Sequence, residues 1–145
     1  QLKGVDSTKR VSSAKLGPGA TIVIKEKIMT HGHQTAETSF DVSLDGAGSS
    51  AKLISRSVAR DFSRQLFRSK IIGNTDCYGH SECDAIIMDN GVVAAEPEII
   101  ANHVDASLVH EAAIGKIAGE QLIKLMTLGL TEHEAEEQII NGFMK

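Results

Sequence analysis

The sequence predicts a mainly β domain closed by a C-terminal helical hairpin. Three observations carry this. Short runs of β-branched and aliphatic residues recur between Gly, Pro, Asn and Asp turns through the first two thirds of the chain. Aromatic residues are only 3% of the composition against 41% apolar, so the core is built from Val, Ile, Leu and Ala, as suits parallel sheets and stacked coils. After about residue 114 the apolar spacing changes to a helical one.

The elements follow in order. Residues 1–13 are polar and read as a lead-in or a poorly formed first strand. Gly17-Pro18-Gly19 is a turn, and Thr21–Ile24 a strand. Thr30–His33 is a turn. Thr38–Leu44 alternates, placing Thr38, Phe40, Val42 and Leu44 on one face. Asp45–Gly48 is again a turn. Strands follow over Ser50–Val58, Gln65–Ile72, Ala85–Met88 and Val92–Ala95, although 57–64 also fits a helix. The strand pattern fits a sandwich, a barrel or a β-helix, and no exact repeat selects among them.

In the tail, Ile117–Met126 has helical spacing with Leu122, Leu125 and Met126 on one face and Gly129 as its stop. Thr131 and Glu134 form a capping-box pattern for a second helix, with Ala135, Ile139 and Ile140 on one face and Gly142 as its end.

At 145 residues the chain reads as one domain able to bury a core without staples. The net charge of -4 argues against a nucleic-acid binder. No apolar run spans a membrane and the first residues have no secretory h-region, so no membrane partner and a cytoplasmic setting are expected. Two cysteines make no disulfide framework, and reduced thiols are expected.

The chemistry-bearing residues gather between Asn74 and Gly115, around Cys77, Cys83, His80, His103 and His110. The C-x5-C spacing is not that of a zinc knuckle. In an extended strand Ser81 and Cys83 share one face while His80, Glu82 and Asp84 share the other. Cys83 is therefore expected to be buried, and Cys77, beside turn residues, to be exposed. His110-Glu111 pairs an imidazole with a carboxylate, a combination that binds metal or moves protons, or that simply closes an element boundary. His31-Gly32-His33 reads as a solvated loop, and His133 as surface. No P-loop, nucleophile elbow or dinucleotide fingerprint is present, so no stand-alone enzyme is expected.

Six segments then occur in order: Ser81–Ile87, Ala95-Glu96-Pro97, His110-Glu111-Ala112, Glu120-Gln121-Leu122, Gly129–Ala135 and Ile139–Phe143. Together they resemble the C-terminal part of the SufB/SufD family of the SUF iron–sulfur cluster assembly system. The likeness is specific over residues 65–145 and one of texture over 17–64. It implies a right-handed parallel β-helix over about 15–113, followed by C-terminal helices over 114–145. It implies a scaffold subunit whose cargo is an iron–sulfur cluster or iron. It implies a homodimer, or a heterodimer with another SufB/SufD-like chain, paired through the β-core. Docking to an ABC-type ATPase is implied through the helices.

His110 matches the family's pairing-surface histidine, and with Glu111, Cys77 and Cys83 makes up the candidate cluster contacts. The docking candidates are Gln121, Leu122, Leu125, Met126, Leu130, Ala135, Ile139 and Phe143. Full family members are several-fold longer, so the chain resembles a short, divergent member. Ala101 stands where the SufB-type cysteine is expected, and Leu128 where the family has Arg. A module of the same fold that binds no cluster is the alternative reading.

Overall fold

The computed structural model describes residues 5–145. Eight strands precede two helices. They are β1 (Ser7–Leu16), β2 (Thr21–Thr30), β3 (Thr35–Leu44), β4 (Ser49–Ala59), β5 (Arg64–Gly73), β6 (Cys77–Ile87), β7 (Val92–Ala101) and β8 (Ala106–Gly115), then α1 (Gly119–Thr127) and α2 (Glu132–Phe143). Odd strands form one sheet in the order β1-β3-β5-β7 and even strands a second in the order β2-β4-β6-β8. Every pairing is parallel. Ser7 pairs with Thr35 and Thr35 with Arg64, so one coil takes 28 or 29 residues. The chain is a β-solenoid of about 4 turns, and the β-helix expectation is met.

Alternation decides what fills it. Inward residues stack in columns from coil to coil, as in Ile24–Leu53–Ser81–His110 and Glu26–Ser55–Cys83–Ala112. Leu44, Leu53, Ile71 and Val42 are fully enclosed, and Phe40 meets Phe67 edge-on at 6.0 Å. Each such aliphatic stabilises the fold by roughly 1.5–3 kcal/mol relative to exposure. Polar residues in the lumen find each other: Ser81 Oγ meets Ser69 Oγ at 2.8 Å, and Thr30 Oγ1 donates to Ser63 Oγ at 2.9 Å. Glu26 accepts from Ser55 and pairs with Arg10.

The corners repeat as well. Gly32, Asp61 and Asp89 occupy equivalent turn positions, and all have positive φ (58°, 56° and 53°). The Gly32 N–H donates to Asp61 Oδ2 at 2.6 Å and the Asp61 N–H to Asp89 Oδ2 at 3.2 Å. Asp and Gly are residue types that tolerate this backbone. A second ladder runs through Asp45, Asn74 and Asn102.

Several expectations change. The polar stretch within 1–13 is a regular strand from Ser7, while residues 1–4 lie outside the described part. The segment 57–64 is not helical: it is the end of β4, a turn and the start of β5. β7 runs on through Pro97, which an edge strand tolerates, and 106–115 forms a strand that the alternation had not marked.

Thr131 caps α2 as expected: its Oγ1 accepts from the Glu134 N–H at 3.3 Å, and the Glu134 carboxylate accepts from the Thr131 N–H at 2.8 Å. Gly129 takes φ 96° after α1. Gly142, expected to end α2, lies inside it. The helical end is tied to the coils by an ion pair between Glu137 of α2 and Arg60 in the turn after β4, and by Lys27 of β2 donating to the Lys145 carbonyl just beyond α2. Val58, outward by alternation, is nevertheless fully buried. No helix among the described residues is long and apolar enough to cross a membrane.

Candidate functional site

The last coil is where the candidate residues meet. Among the described residues β7 and β8 each have one strand neighbour, so both present a free edge. Their inward residues have no further coil over them. Ile99 and Ile114 are therefore exposed, whereas their equivalents one coil earlier, Ile71 and Ala85, are buried. Unpaired backbone beside an apolar lumen is a template for a further strand pair.

His110 lies inward on β8, in register with Ser81. Its Nδ1 is buried and has no hydrogen-bond partner among the described residues. Its pKa is lowered, chiefly by burial and then by the neighbouring His80, against the opposing effects of the Ser81 backbone and Glu111. A neutral imidazole with a bare nitrogen is the form that ligates a metal. Leaving such a nitrogen unpartnered costs about 1–3 kcal/mol.

Glu111, the next residue, points outward, so His110 and Glu111 lie on opposite faces of β8 and do not share one pocket. Glu111 instead joins His80 and Glu82, which project from the outer face of β6. One ligand atom from each of the three lies within 4.8 Å of the others, and His80 Nε2 is 3.5 Å from Glu111 Oε2. Asp84 stands next on this face, its carboxyl raised above the usual range by burial and by the negative charge of Glu82 and Glu111. Sequence reasoning placed His80, Glu82 and Asp84 on one face of β6. It did not bring Glu111 to them, because that needs the register between β6 and β8.

The cysteines stand differently. Both are buried and free, so the expectation of an exposed Cys77 is overturned: its side chain points into the lumen. Cys77 pairs with Ala106 while Ser81 pairs with His110, so Cys77 lies four residues, about 13 Å, from the His110 level. Cys83 is two residues from Ser81 and on the same face, hence the nearer thiol. Burial, with Asp84 and Glu26 adding to it, pushes the Cys83 thiol up to about 11. It is a protonated packing group at neutral pH rather than a ready thiolate. Ala101, inward on β7, brings no thiol to this end.

On the helices, Ala135 is fully enclosed and cannot meet a partner. Leu122, Leu125, Leu130, Ile139 and Phe143 are half-buried, while Gln121 and Met126 are exposed. The most open apolar side chains of this region, Ile123 and Leu128, are not among the docking candidates drawn from the sequence. Their exposure depends on how α1 meets α2, which helical spacing alone does not give.

Comparison with known proteins gives one family. The model described as "SUF system FeS cluster assembly, SufBD core domain" matches residues 1–143. A Methanothermobacter thermautotrophicus protein named as an iron–sulfur cluster assembly SufBD family protein is 39% identical over 105 residues, which is 71% of this chain and 26% of the relative. Proteins of the same family name from Archaeoglobus fulgidus and Pyrococcus horikoshii are 32% and 35% identical over 99% and 90% of this chain. The chain spans 39% and 40% of their lengths.

Proposed function

Because the chain belongs to the SufBD core family of the SUF iron–sulfur cluster assembly system, we propose that it is a non-catalytic, cytoplasmic scaffold subunit of that system. The observation that carries this reading is the open last coil with His110 beneath its edge. In this reading a second SufB/SufD-like chain, identical or not, continues the solenoid there. The joint would cover Ile99 and Ile114, satisfy the free strand edges, and bring a partner's ligands to the bare nitrogen of His110. Iron or an iron–sulfur cluster is the cargo held at that joint. An ABC-type ATPase subunit docks on α1 through Ile123, Met126 and Leu128, whose exposure supports a partner surface there.

Two experiments test this. In the assembled complex, His110→Ala is expected to lower iron loading after anaerobic reconstitution with iron and sulfide; unchanged loading removes His110 as a ligand. Separately, Ile123→Asp with Leu128→Asp is expected to abolish co-purification with the ATPase while leaving the circular dichroism spectrum intact. Retained co-purification moves the docking surface elsewhere.

A second reading is a structural module of the same fold that binds no cluster. Ala101 and the raised, buried Cys83 thiol favour it. A colourless protein after reconstitution supports the module, and a visible charge-transfer band supports the scaffold.

A further inference from the structure

We propose that His80, Glu82 and Glu111 form a binding site for a single divalent first-row transition-metal cation on the outer face of the even-strand sheet. This site is separate from the inward His110 and does not depend on the pairing or docking just described.

The argument begins with register. Parallel strands put partners side by side about 4.8 Å apart on the same face. Glu82 and Glu111 are register partners, so two carboxylates stand directly beside each other. Like charges so placed repel. The residue preceding them in this column is Ile54, which supplies no countercharge. Among the described residues neither glutamate makes an ion pair with lysine or arginine, although the odd-strand sheet neutralises its outward glutamates that way, with Arg68 on Glu96 and Lys70 on Glu98. On the even-strand face Lys52 stands beside His80 and Arg56 beside Asp84, and Glu82 and Glu111 are left next to an imidazole without such a pair.

His80 is the second observation. Its side chain is 13% exposed, yet its Nε2 is buried and has no hydrogen-bond partner among the described residues. The 3.5 Å to Glu111 Oε2 is too long for a good hydrogen bond. The nitrogen nevertheless belongs to the three ligand atoms that lie within 4.8 Å of one another. Ligands about 2.1 Å from a common ion lie roughly 3–3.5 Å apart. A side-chain rotation of Glu111, which is 66% exposed, closes the difference.

The donor set selects the class of cation. One imidazole with two carboxylates suits Fe2+, Mn2+, Co2+ or Zn2+, whereas Mg2+ and Ca2+ prefer all-oxygen sites. Three protein ligands on an open sheet leave further positions to water, so the ion would be exchangeable.

The test is a titration of the full 145-residue chain with Co2+, followed by visible absorption and calorimetry, with Zn2+ as competitor. One equivalent is expected to bind. His80→Gln and Glu111→Gln are each expected to weaken binding by about tenfold or more. His103→Ala, in an exposed turn, controls for adventitious histidine and is expected to bind as the wild type does. Glu111→Gln changes an exposed side chain, so its result stands even if His80→Gln proves poorly folded. The proposal is overturned by absence of saturable binding up to roughly 1 mM. It is also overturned by unchanged binding in Glu111→Gln, by displacement of Co2+ with a modest excess of Mg2+, or by loss confined to His110→Gln.

Discussion

Leu53→Ala tests the inward-outward alternation on which every placement above depends. Leu53 is 0% exposed on β4, between Ile24 and Ser81 in the column that ends at His110. The substitution removes three carbons, worth roughly 2.4 kcal/mol at about 0.8 kcal/mol per methylene. Inward neighbours on strands bonded on both sides cannot collapse far, so a residual void of about 50 Å³ adds roughly 1 kcal/mol. The expected loss is about 3–4 kcal/mol, or a fall in Tm of roughly 6–15 °C for a chain of this size.

Val23→Ala is the matched control. Val23 is 55% exposed, outward on the adjacent β2, and its loss is expected to cost within about 0.5 kcal/mol. Urea unfolding followed by circular dichroism measures both. Comparable losses in the two variants would refute the alternation, and with it the division of β6 and β8 into lumen and outer-face residues.

Two further outcomes follow from the buried groups. Burial holds the Glu26 carboxyl above 4.5, its ordinary value, despite the opposing effects of Ser55 and Arg10. The folded chain then holds that proton more tightly than the unfolded one. Stability from this source is full below about pH 4.5 and is lost as pH rises through the raised folded value. Glu26→Gln is therefore expected to flatten the fall in stability above pH 4.5 relative to wild type, and an unchanged pH profile of urea midpoints would count against it. The Cys83 thiol, pushed up to about 11, holds about one thiolate in ten thousand at pH 7. Neither Cys83 nor the buried Cys77 is expected to react with iodoacetamide over minutes in the native protein, and both should react in urea; fast native labelling at Cys83 overturns the assignment.

Much of the fold was legible because it is local. Alternation along Thr38–Leu44 and along 80–84 named the correct faces, since the β period of two needs no knowledge of partners. The capping box at Thr131 was legible for the same reason. The coil length was not. It alternates between 28 and 29 residues, and its columns mix Leu53 with Ser81 and His110, so apolar identity does not repeat. A signal was nevertheless present in the turns: Gly32, Asp61 and Asp89 recur at the coil spacing because each corner needs the left-handed backbone. Cys77 was misplaced because a residue beside a turn was taken to be exposed, whereas the turn before β6 already directs its first side chain into the lumen.

The sequence by itself determined a strand-rich body poor in aromatics, the helical tail, and the region in which the histidines, cysteines and carboxylates gather. Only the tertiary structure decided how that region divides. His110 and Glu111 are adjacent in sequence and separated by the sheet, because neighbours on a strand face opposite ways. Glu111 is 29 residues beyond Glu82 in sequence and adjacent in space to it and to His80, because parallel coils stack Glu82 on Glu111. Alternation is written in each residue's own backbone, whereas register belongs to the pairing of two strands a full coil apart.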